Sequence, residues 1–445
     1  MVGSDAPSGK CHREVTTRMN KIAIVVAATD GIVSSQSGIG SVARAFFSSI
    51  DEAKTKPPLS SLSWNLFAAA PNLDPSSADY DRELFESIGE TCRRYGGEVL
   101  LFDSEHGNDK LSTVWAGKNP DLWYRLAENC MRVILERCEA YERVIVFAHG
   151  SPLLLLRRFV DRDNVNIMTV PHFIWNHHHD SSKVTVHGEI ERDAYSRLVD
   201  CHDDYVACIG DYVKDVMQRI FSLPDEKFVM LRNRISPHNY SRQQRAAELE
   251  RDSRISQLNI PPEQTDVLFS WGRCDSQKGH TTILKAFARI MAGSPSTHLV
   301  ILAPVSVGHR DEYDRMQDLV KYIPEGRYTI IYEYDDVLPI AMVGWQRCRM
   351  AIFASRREYA PIAPLEALFF GHRALRVIYS DIEPNIECLA GISGTAPFRL
   401  DDDAQLSETV IDQLSAESFS ARDGMPTYAN SISEFFSSLL LKTGM

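Results

Sequence analysis

The segment Val267-Leu-Phe-Ser-Trp-Gly-Arg-Cys-Asp-Ser-Gln-Lys-Gly279 has the pattern of a strand, a tight turn and the start of a helix. Its first five residues are apolar except for one serine, as expected of a buried strand. Gly272 permits the turn, and a helical pattern follows at 280–291. Parallel sheets covered by helices on both faces are built from units of this kind. The segment therefore predicts an α/β domain.

Strand-like runs alternate with helix-like runs on both sides of this segment. Further buried strands are predicted at 22–28, 63–70, 98–102, 144–148, 165–170, 228–231, 298–302, 328–332, 350–353 and 374–378, and helices at 42–50, 80–95 and 122–138. A chain of 445 residues exceeds one ordinary hydrophobic core. The predicted fold class is therefore α/β with two doubly wound, Rossmann-like domains that face each other across a cleft.

Breaks in this alternation predict the domain boundaries. The first residues are polar and lack the apolar core of a signal peptide. A charged stretch with Pro261-Pro262 separates the two series of strands. The predicted units are a disordered leader at 1–20, an N-terminal domain at 21–240, a linker at 241–265, a C-terminal domain at 266–428 and a last helical segment at 429–445.

Composition excludes several classes of protein. The formal net charge of −12 argues against a nucleic-acid partner, because such proteins present a basic surface to phosphates. No apolar run approaches the length that spans a bilayer. Nine scattered cysteines show neither metal-ligand nor disulfide spacing and are interpreted as reduced thiols. These features predict a cytoplasmic protein, whose oligomeric state the sequence leaves open.

A second segment, Glu358-Tyr-Ala-Pro-Ile-Ala-Pro-Leu-Glu366, carries two carboxylates eight positions apart. Pro364 suits the first turn of a helix, and Gly371 suits its end. Glu366 is therefore expected in the first turn of that helix, and Glu358 on the loop before it. Carboxylates placed in this way reach different hydroxyls of one extended ligand, whose anionic middle lies against the helix N-terminus.

Two cations, Arg273 and Lys278, lie in the loop that leads to the helix after Gly279. A guanidinium fork and an ammonium group that face one gap suit a diphosphate. The alternative is an ordinary strand-loop-helix joint whose two charges are solvated.

Together, the Gly-Arg…Lys-Gly loop and the later Glu-x7-Glu element resemble the retaining GT-B glycosyltransferases of family four, which use nucleotide-sugars. The resemblance is specific at about 266–387 and thinner in the N-terminal half. It implies transfer of a sugar from a nucleotide diphosphate-sugar to an acceptor hydroxyl, with retention of anomeric configuration. It also implies that neither a metal nor another cofactor is needed, and that the last helix returns to the first domain.

The resemblance assigns roles to the residues of both segments. Arg273 and Lys278 would stabilise the departing diphosphate. Glu358 would bind hydroxyls of the transferred sugar, and Glu366 the ribose. Family members usually carry glycine where Pro361 stands, and proline has no N–H to donate. The backbone contacts to phosphate are therefore expected from Ala360, Ile362 and Ala363.

The first strand leads into Gln36-Ser-Gly-Ile-Gly-Ser41, a glycine-rich turn that opens a helix. It is similar to the family's Gly-Gly-x-Gly loop near the donor, with Ser37 in place of the first glycine. Gly38 and Gly40 are therefore candidates for donor binding. The alternative is that these glycines only close a strand-to-helix turn. The segment completes neither a phosphate-binding Walker loop nor a dinucleotide fingerprint.

Two histidines, His149 and His172, end predicted strands of the first domain. The family carries histidines at both places, and the later one lies beside the reacting sugar. The match assigns His172 to catalysis and His149 to the acceptor side. The alternative is that either imidazole only satisfies a backbone carbonyl. A metal site at 177–179 is disfavoured because three adjacent residues do not face one ion in regular structure.

The expected acceptor is a small soluble or lipid-linked hydroxyl compound. Arg157-Arg158 follows an apolar run, so association with a membrane surface is possible but not favoured by the overall acidity. The alternative functions are a non-catalytic nucleotide-sugar-binding partner subunit, a GT-B phosphorylase or sugar-phosphate synthase, and an NAD-dependent oxidoreductase. The last gives no role to Glu358 or Glu366.

Overall fold

The computed structural model describes residues 21–34, 38–77, 79–104, 120–178, 185–305, 310–416 and 425–443. These ranges contain two fully parallel sheets, one of seven strands and one of six. Helices flank both sheets. None of the helices in these ranges combines the length and apolarity needed to span a bilayer.

The first sheet has the strand order β3-β2-β1-β4-β5-β6-β7. Its strands are β1 Ile22–Ala28, β2 Trp64–Pro71, β3 Val99–Phe102, β4 Arg143–His149, β5 Val165–Val170, β6 Tyr205–Cys208 and β7 Phe228–Met230. Its helices are α1 Gly38–Lys54, α2 Arg82–Arg94, α3 Pro120–Arg137, α4 Trp175–His178, α5 Val186–Asp200 and α6 Asp211–Phe221. Every residue of β1 is buried, because Ile24 and Val26 face one core while Ala23 and Val25 face the other.

The second sheet has the order β10-β9-β8-β11-β12-β13. Its strands are β8 Asp266–Trp271, β9 Thr297–Leu302, β10 Tyr328–Ile331, β11 Cys348–Phe353, β12 Arg376–Ser380 and β13 Thr395–Phe398. The remaining helices are α7 Ser241–Gln257, α8 His280–Gly293, α9 Arg310–Val320, α10 Leu338–Val343, α11 Ala363–Phe370, α12 Glu383–Leu389, α13 Asp403–Ser415 and α14 Tyr428–Thr443. The strand order reverses beside β8, which opens a crevice at the carboxyl ends of the strands.

The structure confirms two doubly wound parallel sheets and adds two strands that the sequence did not predict. Both β6 and β13 are four residues long. Pro397 within β13 argues against a strand. Proline is tolerated there because β13 is the edge strand of its sheet.

Two segments outside the sheets pack on different domains. The segment predicted as a linker is largely helical, and Ala247 of α7 packs with Val337 and Ala341 beside the second sheet. The last helix, α14, lies in the core of the first domain, where Phe435 and Phe436 contact Phe147 of β4. The chain therefore crosses between the domains a second time before it ends.

Candidate functional site

The loop between β8 and α8 is shaped by two glycines. Gly272 has a φ of +154° and Gly279, which precedes α8, a φ of +67°. A Cβ atom on Gly279 would lie 2.0 Å from the backbone oxygen of Ala354, so only glycine fits against the end of β11. The N–H of Arg356 donates to the carbonyl of Gln277 at 2.7 Å. The two loops that carry the predicted donor residues are thus packed against each other.

Lys278 and Glu358 meet between these loops. The Nζ atom of Lys278 lies 2.5 Å from Oε1 of Glu358. Both side chains keep some exposed surface, 24% and 19% respectively. A cation and a carboxylate predicted from separate motifs therefore share one position at the carboxyl edge of the second sheet.

Arg273 lies on the same loop as Lys278 but has a different partner. Its Nη2 atom is 3.1 Å from Oδ2 of Asp275, which is almost fully buried. The Asp275 carboxylate also accepts the backbone N–H groups of Gln277 and Lys278. Arg273 itself is 63% exposed. Asp275 thus holds one nitrogen of the Arg273 guanidinium, while the rest of this group stays accessible to an anion.

Glu366 lies in the first turn of α11, as predicted. Its Oε1 atom accepts a hydrogen bond from the hydroxyl of Tyr240 at 2.5 Å, and the side chain of Trp271 also hydrogen bonds to it. Burial raises the pKa of Glu366, while these two hydrogen bonds and the nearby charge of Arg44 oppose the rise. Sequence reasoning missed Tyr240 and Arg44, because neither belongs to a motif.

The loop that leads into α11 packs against both domains. Among the described residues, no side chain caps this helix, and Pro364 lies in its first turn. Ala360 packs against the core of the first domain, whereas Ile362 and Ala363 pack against the core of the second. These three residues supply the only N–H groups between Glu358 and Pro364 other than that of Tyr359.

Tyr359 joins the Glu358 loop to the first domain and was not predicted. Its hydroxyl donates to the carbonyl of Ile174 at 3.3 Å and lies 3.2 Å from Nδ1 of His177. The side chain is 8% exposed and belongs to the first domain's core. The loop after β5 and the Glu358 loop therefore form one contact across the cleft.

The two candidate histidines lie side by side at the ends of β4 and β5. Nδ1 of His149 is 3.0 Å from Nε2 of His172. His149 has no exposed surface, whereas His172 is partly exposed. Burial lowers the pKa of His172 to about 4 and the pKa of His149 well below its usual value. Both rings are therefore neutral at neutral pH.

The glycine-rich turn is described only from Gly38 onwards, and Gln36 and Ser37 lie outside the described residues. Gly38 begins α1. A Cβ atom on Gly40 would lie 2.5 Å from a carboxylate oxygen of Asp30, and one on Gly31 would lie 2.3 Å from the carbonyl of Gly40. Close packing of the loop after β1 against α1 thus accounts for Gly40. The packing is compatible with either interpretation of this turn.

Within the described ranges, no group of three or more His, Cys, Asp or Glu side chains is arranged to hold a metal ion. Of the adjacent histidines, His177 and His178 lie in α4 and His179 lies outside those ranges.

No protein-family model matches the sequence, and no curated protein matches it. Solved structures do match. A sucrose-phosphate synthase from Thermosynechococcus elongatus superposes with a TM-score of 0.62 at 15% identity, over 96% of this chain and 97% of that one. An α,α-trehalose-phosphate synthase (UDP-forming) from Burkholderia xenovorans, solved with glucose-6-phosphate, gives 0.59 at 12% over 94% and 96%.

Anabaena HepE, solved with UDP and glucose, gives a TM-score of 0.56 at 11% identity over 95% of this chain and 97% of that one. The similarity extends over both sheets in each case. The fold is GT-B. At these identities the comparison establishes the fold, and the chemistry depends on the residues of this chain.

Proposed function

We propose that this chain transfers a sugar from a nucleotide diphosphate-sugar to an acceptor hydroxyl, with retention of anomeric configuration and without a metal ion. The observation that carries the proposal is the contact between Lys278 and Glu358, 2.5 Å apart beside the start of α11. A nucleotide-sugar requires a cation beside its diphosphate and a hydrogen-bond acceptor for its sugar hydroxyls, and these two groups must lie within a few ångströms of each other. This pair supplies both.

Negative charge grows on the diphosphate as it departs from the anomeric carbon. Lys278 and the exposed guanidinium of Arg273 stabilise this charge, and the N-terminus of α11 adds its dipole. The N–H groups of Ala360, Ile362 and Ala363 complete the contacts to phosphate. Cationic side chains and backbone dipoles thus take the part that a divalent metal plays at other diphosphate sites.

The sugar and the ribose occupy opposite sides of the diphosphate. Glu358 accepts hydrogen bonds from sugar hydroxyls, and Glu366, held by Tyr240, binds the ribose diol. His172 contacts the sugar from the first domain, and Gly38 and Gly40 approach the donor from the start of α1. Because its pKa is about 4, His172 acts as a neutral hydrogen-bonding group.

Retention follows from attack on the face that the diphosphate leaves. The acceptor oxygen bonds to the anomeric carbon as the bond to the phosphate oxygen breaks, and the acceptor proton passes to that phosphate oxygen. This route needs no protein nucleophile. The ligands of the structural neighbours, UDP and glucose in HepE and glucose-6-phosphate in the trehalose-phosphate synthase, support a nucleotide-sugar donor and a small acceptor.

The proposal is tested by calorimetry with UDP, GDP and ADP, followed by transfer assays with the corresponding nucleotide-sugars. We expect Lys278→Ala to weaken binding of the preferred diphosphate about tenfold or more, with an unchanged melting temperature. Glu358→Ala should retain diphosphate binding and lose transfer. Lys285→Ala, an exposed lysine on α8, is the matched control and should behave like the wild type. Unchanged turnover in both Lys278→Ala and Glu358→Ala would exclude this site.

A further inference from the structure

The histidine pair at the carboxyl edge of the first sheet has a geometry that constrains its protons. His149 is the last residue of β4 and His172 lies two residues beyond β5. Their ring centroids are 5.2 Å apart and their planes differ by 24°. With the facing nitrogens 3.0 Å apart, the rings meet edge to edge in nearly one plane. This is a hydrogen bond rather than a face-to-face stack.

A hydrogen bond between two neutral imidazoles holds one proton. One ring must donate and the other must accept, so the pair has two arrangements. In the first arrangement, Nδ1–H of His149 donates to Nε2 of His172. In the second, Nε2–H of His172 donates to Nδ1 of His149, and the proton of His149 then sits on its own Nε2.

Burial favours the first arrangement. Nε2 of His149 is fully buried and has no hydrogen-bond partner among the described residues. The second arrangement would leave an N–H donor unsatisfied at this atom. Orphaned buried N–H groups are rarer in proteins than acceptors that lack a partner. In the first arrangement, the one N–H of His149 donates to His172, and Nε2 of His149 carries no proton.

We propose that His149 is a positioning residue that donates from Nδ1 to Nε2 of His172 and thereby fixes the tautomer of His172 with its proton on Nδ1. His172 then has one remaining polar atom, an N–H donor. It can donate to an oxygen of the substrate but cannot accept a hydroxyl proton there. The catalytic part of this inference rests on the proposed function, whereas the tautomer does not.

The tautomer is measurable without any substrate. We expect ¹H–¹⁵N spectra of the full-length protein, labelled in its histidine rings, to show His172 protonated on Nδ1 and unprotonated on Nε2. A His172→Phe variant assigns the signal. In His149→Ala the proton of His172 should move to Nε2, and in His149→Asn, whose amide can still donate, it should remain on Nδ1. A wild-type His172 that carries its proton on Nε2 would overturn the proposal, even if neither variant folds.

Kinetics separate positioning from folding. We expect His149→Ala to lower kcat about tenfold to a hundredfold with little change in the KM of the donor, and His149→Asn to restore most of the loss. The control is His298→Ala, which removes a buried histidine of the second sheet that contacts Gln264 and Thr329. It should lower the melting temperature without changing kcat. Absence of transfer with every nucleotide-sugar would refute the proposed function, while the spectra still decide the tautomer.

Discussion

At the scale of single residues, the hydroxyl of Tyr240 determines how Glu366 is held. Tyr240 directly precedes α7, and its hydroxyl reaches Oε1 of Glu366 in α11 at 2.5 Å. Burial, together with the charge of Glu366, raises the pKa of Tyr240 well above its usual value, so the hydroxyl remains a donor at all working pH values. The Glu366 carboxyl group is thus held in one orientation in a setting that disfavours its charge.

We expect Tyr240→Phe to lower the free energy of unfolding by about 1–3 kcal/mol, because a partly buried carboxylate loses a donor. The same variant should weaken nucleoside diphosphate binding, since Glu366 is no longer held in place. Urea denaturation and calorimetry measure the two effects. Tyr322→Phe, which alters a tyrosine that is 78% exposed, should change neither quantity. Equal affinity in both variants would show that Tyr240 does not orient Glu366.

At the scale of elements, the short helix α4 depends on a buried carboxylate from α5. Glu191 is 1% exposed and accepts the N–H groups of Trp175 and Asn176, each at 3.0 Å, and the Asn176 amide at 2.9 Å. Burial raises the pKa of Glu191 to about 7, so desolvation outweighs the three hydrogen bonds. This carboxylate holds α4, which contains His177 and directly follows the loop that contains His172.

The raised pKa predicts how stability depends on pH. An unfolded glutamate titrates near 4.5, so between about pH 4.5 and 7 the native Glu191 binds a proton that the unfolded chain does not. The stabilisation that this extra native proton gives is fully present below that window and is lost as the pH rises through 7. Relative to Glu191→Gln, the wild type should lose about 3 kcal/mol across the window in urea denaturation. Glu189→Gln, which changes an exposed residue of the same helix, is the control and should show no such difference from the wild type. If the free energy of unfolding depended on pH in the same way in the wild type and in Glu191→Gln, the expectation would be wrong.

The last helix, α14, completes the first core from the opposite end of the chain. Phe435 is fully buried, with its ring centroid 5.1 Å from that of Phe147. We expect Phe435→Ala to destabilise the first domain by about 3–5 kcal/mol. Hydrogen exchange should show lost protection in β1 and β4 but not in β8. Leu441→Ala, at a side chain 87% exposed on the same helix, is the control. Equal loss of protection in β8 would contradict a separate first core.

At the scale of the whole molecule, Glu387 connects the domains. This residue of α12 accepts the N–H groups of Asp211 and Tyr212 at the start of α6, at 2.7 and 2.9 Å. Its Oε1 atom also lies 2.8 Å from Nη1 of Arg232. A carboxylate at a helix N-terminus is stabilised by the helix dipole. One side chain of the second domain thus caps a helix of the first.

We expect Glu387→Ala to weaken the contact between the domains by about 1–3 kcal/mol, because these charge-assisted hydrogen bonds have no replacement. Small-angle X-ray scattering should then show a larger radius of gyration, which nucleotide binding at Lys278 would reduce. Glu383→Ala, at an exposed residue in the first turn of the same helix, serves as the control. An unchanged radius in Glu387→Ala would show that other contacts hold the domains together.

The sequence by itself determined the two sheets and the motifs at the cleft. The continuous apolar run 22–28 predicts a buried strand directly, because a strand covered on both faces is largely apolar. Glycines at turns and prolines at a helix start fix local backbone, so the positions of Lys278 and Glu358 on their loops follow from neighbouring residues.

Only the tertiary structure decided which side chains meet. Tyr240 and Glu366 are 126 positions apart, and no local pattern relates Glu387 to the start of α6 or His149 to His172. These contacts depend on strand order, on sheet register and on how the two domains pack. A hydrogen bond requires two atoms within about 3 Å, and the sequence spacing of their residues does not determine that distance.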